Sequence, residues 1–242
     1  MGEMNKKALI KRLYKIALVF MFAVCLFVII ADIHNLGRDR KRHLSQHYIE
    51  EGVQETGAIN LVASVLYDYR AFDTLGESTV ILTAAAILSF LVPLKKPVLR
   101  SNPFTILVHQ TIKWLLPFLA ILGAYLMLFS HLSPGGSFVG GVVLATIPIL
   151  LTMKDGVEPS ELKFKPAQKK LLEGIGSIGL ILLGLLGLWT GNHFLANGQA
   201  SFGMGDPGEL ISAGLIPYFN VAIGIKVGAG LAIIFTSFIK ES

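Results

Sequence analysis

Charge is what this 242-residue chain has least of. Only 15% of its residues are Asp, Glu, Lys or Arg, where a soluble domain carries about 25%. The few charges leave long stretches empty, and 53% of the residues are hydrophobic. Uncharged apolar runs of that length belong to a chain solvated by lipid rather than to a large water-soluble core. Cysteine is nearly absent. Cys25 is the single one, and it lies inside an apolar run. That excludes an intramolecular disulfide and argues against a Cys-ligated iron–sulfur cluster or zinc site in this chain, so Cys25 reads as a buried, inert thiol. Also lacking are a nucleophile–base pattern, a metal-ligand cluster and a nucleotide loop, so no catalytic chemistry is expected here. His43 and His47 have i, i+4 spacing, but with no third ligand they read as part of a solvated helix. The formal net charge of +5 needs no nucleic-acid partner, because most Lys and Arg flank apolar runs, where they set topology.

What is there is a series of apolar segments. The N-terminus is basic (Lys6, Lys7, Lys11, Arg12, Lys15) and then apolar from Ile16 to Ala31. The end of that run, FVIIADIH, lacks a small-x-small cleavage site, so it reads as a retained membrane helix rather than a signal peptide. Five more candidates follow, at Ser78–Leu94, Phe104–Ser130, Phe138–Met153, Gly174–Thr190 and Ile216–Phe238. The run Gly57–Tyr67 is too short to span and fits an interfacial or re-entrant piece. Basic residues crowd the N-terminus, Lys95–Arg100 and Lys154–Lys170, whereas Ser130–Ser137 and Gly191–Leu215 contain no Lys or Arg. The positive-inside rule then gives about six spans with both termini in the cytoplasm. Arg38, Arg40, Lys41 and Arg42 are the exception to it, since they follow the first span. The expected class is an all-α, polytopic membrane protein of the cell membrane. Its parts are a two-helix region over 1–97, a connector over 98–103 in KKPVLRSNP, and a four-helix domain over 104–242.

Two stretches carry polar features against apolar surroundings. The first is YDYRAFDTLGE, with Asp68, Arg70, Asp73 and Glu77 directly before an uncharged run. Thr74 to Glu77 fits a capping box, with Thr74 as N-cap and Glu77 reaching back to its amide, and Asp73 suits the positive end of the helix dipole. A short second span also draws Glu77 toward hydrocarbon, where a carboxylate is expensive and usually functional. The two roles are compatible. The second stretch is HLSPGGSFVGG. Pro134-Gly135-Gly136 marks a turn, and Gly136 and Gly140 have the spacing that lets helices approach closely. His131 fits either a satisfied residue at a helix end or a proton relay at the mouth of a path.

The last span holds a single charge, Lys226, near its middle. A lysine there cannot easily snorkel. Ala222 and Gly230 lie one turn away on either side, and Gly224 and Gly228 also suit close packing. Lys226 therefore reads as a member of an ion or proton pathway, paired, hydrated or neutral. No acid in the last three spans stands out as its partner, which leaves Glu77 or a residue of another subunit.

HLSPGGSFVGG resembles the H-x-x-P-G-G-G-F-x-G-G loop of the B subunit of Mrp-type sodium/proton antiporters, and Phe104 to Phe238 resembles that four-helix subunit throughout. AINLVASVLYDYRAFDTLGE resembles the tail of the large Mrp A subunit, where an N-V-x(n)-D-F-R-G-F-D-T-L-G-E pattern precedes a helix. Ser137 departs from the third glycine, Tyr69 from Phe and Ala71 from Gly. Here the tail element is detached and fused to a B-like domain, similar to the Mrp-derived modules of membrane-bound hydrogenases and sulfane-sulfur reductases. The resemblance implies a membrane subunit of a large, ferredoxin-linked ion pump, or else of a stand-alone antiporter. Its partners would be an antiporter-like large subunit, other Mrp-like membrane subunits and hydrogenase-like or sulfur-reductase subunits, which would hold any Fe–S cluster or metal centre. The ion moved would be Na+, exchanged for protons. By motif match, Asp68, Arg70, Asp73 and Glu77 form the family's charged element. His131, Pro134, Gly135, Gly136, Phe138, Gly140 and Gly141 form its loop. A purely structural membrane subunit is the rival expectation.

Overall fold

The computed structural model describes residues 40–91, 105–189, 193–197 and 203–241, with four single positions, 17, 20, 23 and 24, before them. The first expected span, Cys25 and the connector 98–103 fall outside the described residues, apart from those four positions. Every regular element described is helical. The chain separates into two units, Met1–Glu50 and Glu51–Ser242. In the first, α1 (Arg40–Glu50) is a polar helix on which Gln46 donates to Glu50 at 2.8 Å. His43 and His47 are exposed on it.

The second unit runs α2 (Gly52–Thr56), α3 (Leu61–Ser64), a π-helical turn (Val65–Tyr69), α4 (Ala71–Leu91), α5 (Ile106–Leu128), α6 (Ser137–Asp155), α7 (Val157–Lys163), α8 (Pro166–Trp189) and α9 (Ile216–Glu241). Five of these, α4, α5, α6, α8 and α9, are long and apolar enough to cross a membrane. The central one is α9: 61% of its apolar window is buried, against 11–33% for the other four. It packs on α6, α8 and α4, and α5 leans on α6.

Lipid gives helices no hydrophobic reason to associate, so close packing over small residues must hold them together. A Cβ on Gly141 would lie 2.8 Å from the Gly224 carbonyl, and one on Gly140 would lie 2.9 Å from the Gly123 carbonyl. The expected Gly136/Gly140 pair is therefore corrected to the adjacent Gly140 and Gly141, which face α5 and α9. Gly136 has open space around it, and its φ of +150° serves the turn into α6 instead.

Two element starts differ from expectation. The helix α4 begins at Ala71, so Thr74 is not an N-cap; its Oγ1 donates to the Leu66 carbonyl at 2.7 Å. The π-helical turn runs into α4 with only Arg70 between them, which leaves no free first turn at Thr74 for a capping box. The helix α8 begins at Pro166, not near Gly174. Proline is suited to a first helical position, and the helix buries a stripe from Lys169 through Glu173, Gly176, Leu180 and Gly184 to Gly187.

At one end of the bundle the non-spanning segments are stitched together. The Gly57–Tyr67 run is folded inward, with Ala58, Ala63 and Tyr67 buried. Asn60 caps α3 and donates to the carbonyls of Ser130 at 2.7 Å and Ser133 at 3.0 Å. Asn197, fully buried, accepts from the amides of Leu215 at 2.8 Å and Ile216 at 3.2 Å, and donates to the Thr56 carbonyl at 3.3 Å. These bonds satisfy backbone groups at the start of α9 that have no intrahelical partner.

Candidate functional site

Three ionisable side chains are buried between α4, α8 and α9. Lys226 lies ten residues into α9, about 15 Å along its axis, and is 2% exposed. Its Nζ donates to Ser78 Oγ of α4 at 3.1 Å. Facing it from α8 is Glu173, the charged group that acts on Lys226 among the described residues. Glu173 Oε1 accepts no hydrogen bond from them. One turn before Glu173, Lys169 is equally buried and donates to Thr236 Oγ1 of α9 at 2.8 Å. The result is a column of two basic groups and one acid inside the membrane-spanning bundle, with the hydroxyls of Ser78 and Thr236 at its sides. Ionisable groups in such a place are costly and mark functional positions.

Two glycines make the column fit. A Cβ on Gly176 would stand 2.6 Å from the Ala222 carbonyl and 2.8 Å from Lys226 Cβ. A Cβ on Gly230 would stand 2.9 Å from Ile81 and 3.1 Å from Glu173 Oε1. The small residues expected around Lys226 thus serve both helix approach and the placing of the acid.

The structure corrects the choice of Glu77 as partner for Lys226. Glu77 is exposed on α4, and its neighbour Ser78 points to the lysine. Asp73 pairs with Arg70 at the start of α4, both exposed. Asp68 is half-buried on the π-helical turn. The charged element and Lys226 are therefore not one cluster. Glu173 and Lys169 are hidden in the sequence because the apolar run starts after them, at Gly174, and Lys154–Lys170 has the composition of a basic connection. The signal was present: counting back by turns from Gly187, Gly184, Leu180 and Gly176 lands on Glu173 and Lys169.

The motif loop lies at the stitched end. His131 is 1% exposed, and its ring nitrogens have no well-formed hydrogen bond. Burial pushes its pKa down, with the carbonyls of Leu210, Glu209 and Leu128 offsetting this in part, so it is held neutral. Asn60 donates its backbone amide to the His131 carbonyl at 3.1 Å. Ser133 and Pro134 form the bend that leads through Gly135 and Gly136 into α6, and Phe138 packs against the core. Ser137, at the third glycine's place, is fully buried; its amide donates to Asn220 Oδ1 at 3.1 Å and its hydroxyl bonds the phenol of Tyr67. Burial pushes the Tyr67 phenol up to about 12, against the lowering effect of Ser137.

Known proteins resemble this chain in sequence and in fold. A family model described as a domain related to the MnhB subunit of Na+/H+ antiporter matches residues 107–233, and one described as the E subunit of MBH matches residues 10–101. An uncharacterized protein of Methanocaldococcus jannaschii is 35% identical over 197 residues, covering 72% of this chain and 74% of that protein. A probable K(+)/H(+) antiporter A/B subunit of Rhizobium meliloti is 28% identical over 139 residues, 47% of this chain but 14% of that protein. Among solved structures, a chain of the membrane-bound sulfane sulfur reductase, an archaeal respiratory membrane complex, superposes with a TM-score of 0.73 at 31% identity, over 96% of this chain and 100% of that one. A chain of the Mrp complex from Dietzia sp. shares the fold, with a TM-score of 0.66 at 21% identity, over 93% of this chain and 26% of that one.

Proposed function

We infer that this chain, which belongs to the family carrying the domain related to the MnhB subunit of Na+/H+ antiporters, works in the ion-translocating arm of a ferredoxin-linked respiratory complex and takes part there in Na+/H+ exchange. The observation that carries this reading is the Lys226–Glu173 pair, buried at the middle of the bundle. A subunit that only filled space would gain nothing from charges whose burial costs several kcal/mol each. The likeness to a sulfane sulfur reductase chain over the whole of that chain supports membership of such a complex. The redox centres would be held by partner subunits. The basic end, with Lys163, Lys165 and Lys170, would face the cytoplasm. Glu77 would meet an antiporter-like or other membrane subunit, because a carboxylate on a spanning helix is costly against lipid.

The test is a mild-detergent purification through a tag, followed by reconstitution. Glu173→Gln and Lys226→Met should leave the complex assembled and abolish sodium-coupled proton movement. Full coupling in both variants would leave the chain a structural subunit. Recovery of antiporter-like subunits without iron–sulfur partners would place it in a secondary antiporter instead.

A further inference from the structure

Between the stitched end and Lys226 lies a small void of about 10 Å³ among mostly buried side chains, lined by Tyr67, Ala71, Thr74, Leu180, Leu195, Phe219 and Ile223. Its position is set by helix register. Thr74, Leu180 and Ile223 stand one turn from Ser78, Gly176 and Lys226 on α4, α8 and α9, so the void is the layer directly above the buried lysine. Its roof is Tyr67, stacked on Phe219 and bonded to Ser137. Below it are Ser78, Lys226 and then Glu173.

We propose that this void is a single-water relay site that gives protons, and not sodium, access to Lys226 from the Tyr67–Ser137 end. The proposal rests on the reading of Lys226 and Glu173 as an ion-handling pair. Size and ligands together select the ion: the void has room for about one water, so sodium could enter only stripped of its hydration shell, and two engaged hydroxyls cannot replace that shell. Chemistry makes it a gate. Among the described residues of its lining, only Tyr67 and Thr74 carry polar side-chain groups, and both hydroxyls are engaged, with Ser137 and with the Leu66 carbonyl. A water needs two to four polar partners to stay, so the void is dry at rest and the path is broken there. In a turnover the Lys226 ammonium hands a proton to the facing Glu173 carboxylate and becomes an amine. When a water enters the void, a proton arriving from the Tyr67 end passes over Ser78 to that amine, and the ammonium is regenerated. The π-helical turn that carries Tyr67 fits this role, since such turns are irregular and often sit at functional sites.

The test uses the whole complex in liposomes, with proton entry read by a pH dye and sodium entry by a tracer. Ile223→Thr adds one hydroxyl to the void and trims the side chain slightly. It should raise proton entry about fivefold, the effect of one added hydrogen bond on water occupancy, with sodium entry unchanged. Thr74→Val should lower proton entry. Equal proton entry in Ile223→Thr and the parent, while Glu173→Gln abolishes exchange, would overturn the route and keep the charged site. A parallel rise in sodium entry would overturn the size selection. If Ile223→Thr fails to assemble, Tyr67→Phe takes its place: it keeps the ring on Phe219 and should lower proton entry, and unchanged entry there would also overturn the route.

Discussion

Replacing Gly176 by alanine separates packing at the charged column from helix propensity. Alanine favours a helix over glycine by about 1 kcal/mol, so a glycine with free space around it should gain from the change. Gly174, two residues earlier on the same helix, has nothing within 4 Å of an added Cβ, and Gly174→Ala should stabilise by up to about 1 kcal/mol. At Gly176 the same atom meets the Ala222 carbonyl at 2.6 Å, Lys226 Cβ at 2.8 Å and the Lys226 amide nitrogen at 2.9 Å. Two of the three are backbone and cannot turn away, so α8 must move off α9. Overpacking of this kind costs about 1–3 kcal/mol. Because the propensity gain is common to both variants, the difference between them reads the clash alone: about 1–3 kcal/mol, or about 2–12 °C in melting temperature for a chain of this size. Fluorescence-detected size-exclusion melting of the purified protein measures it. Equal melting of Gly174→Ala and Gly176→Ala would mean that α8 does not rest on α9 at Lys226, and the charged column would fall with that contact.

Asn197→Leu should cost about 2–4 kcal/mol, since it strips partners from the Thr56 carbonyl and the Leu215 and Ile216 amides at a buried position; thermal melting reads it, and a loss under about 1 kcal/mol would mean these bonds do not hold the stitched end. His131 is held neutral by burial, so the folded state takes up its proton less readily than the unfolded one. Its contribution is full above the unfolded value of about 6.5 and is lost as pH falls from there toward the lower folded value. Melting temperature should therefore drop on acidification below about pH 6.5, and His131→Asn should flatten that drop; an unchanged slope would exclude His131 as its source. Arg70→Gln removes an exposed pair with Asp73 and should change the stability of the isolated chain by less than about 1 kcal/mol, so a larger loss in the assembled complex would mark the start of α4 as the seat of a partner protein.

That the chain is helical and membrane-spanning follows from its uncharged runs of about 20 residues, which in lipid must satisfy their backbone groups within a helix. Lys226 also stands out in the sequence, since one charge inside a span is visible without any neighbour. The loop HLSPGGSFVGG was legible as a turn, because Pro134 and the glycines fix backbone conformation locally. Which groups meet is a matter of helix packing. That Glu173 faces Lys226, that Ser78 rather than Glu77 receives the lysine's hydrogen bond, and that Gly140 and Gly141 do the packing all depend on rotation and register between helices far apart in the chain. Those are set by close approaches at glycines such as Gly176 and Gly230, and a linear pattern carries no information on which helix a given face will meet.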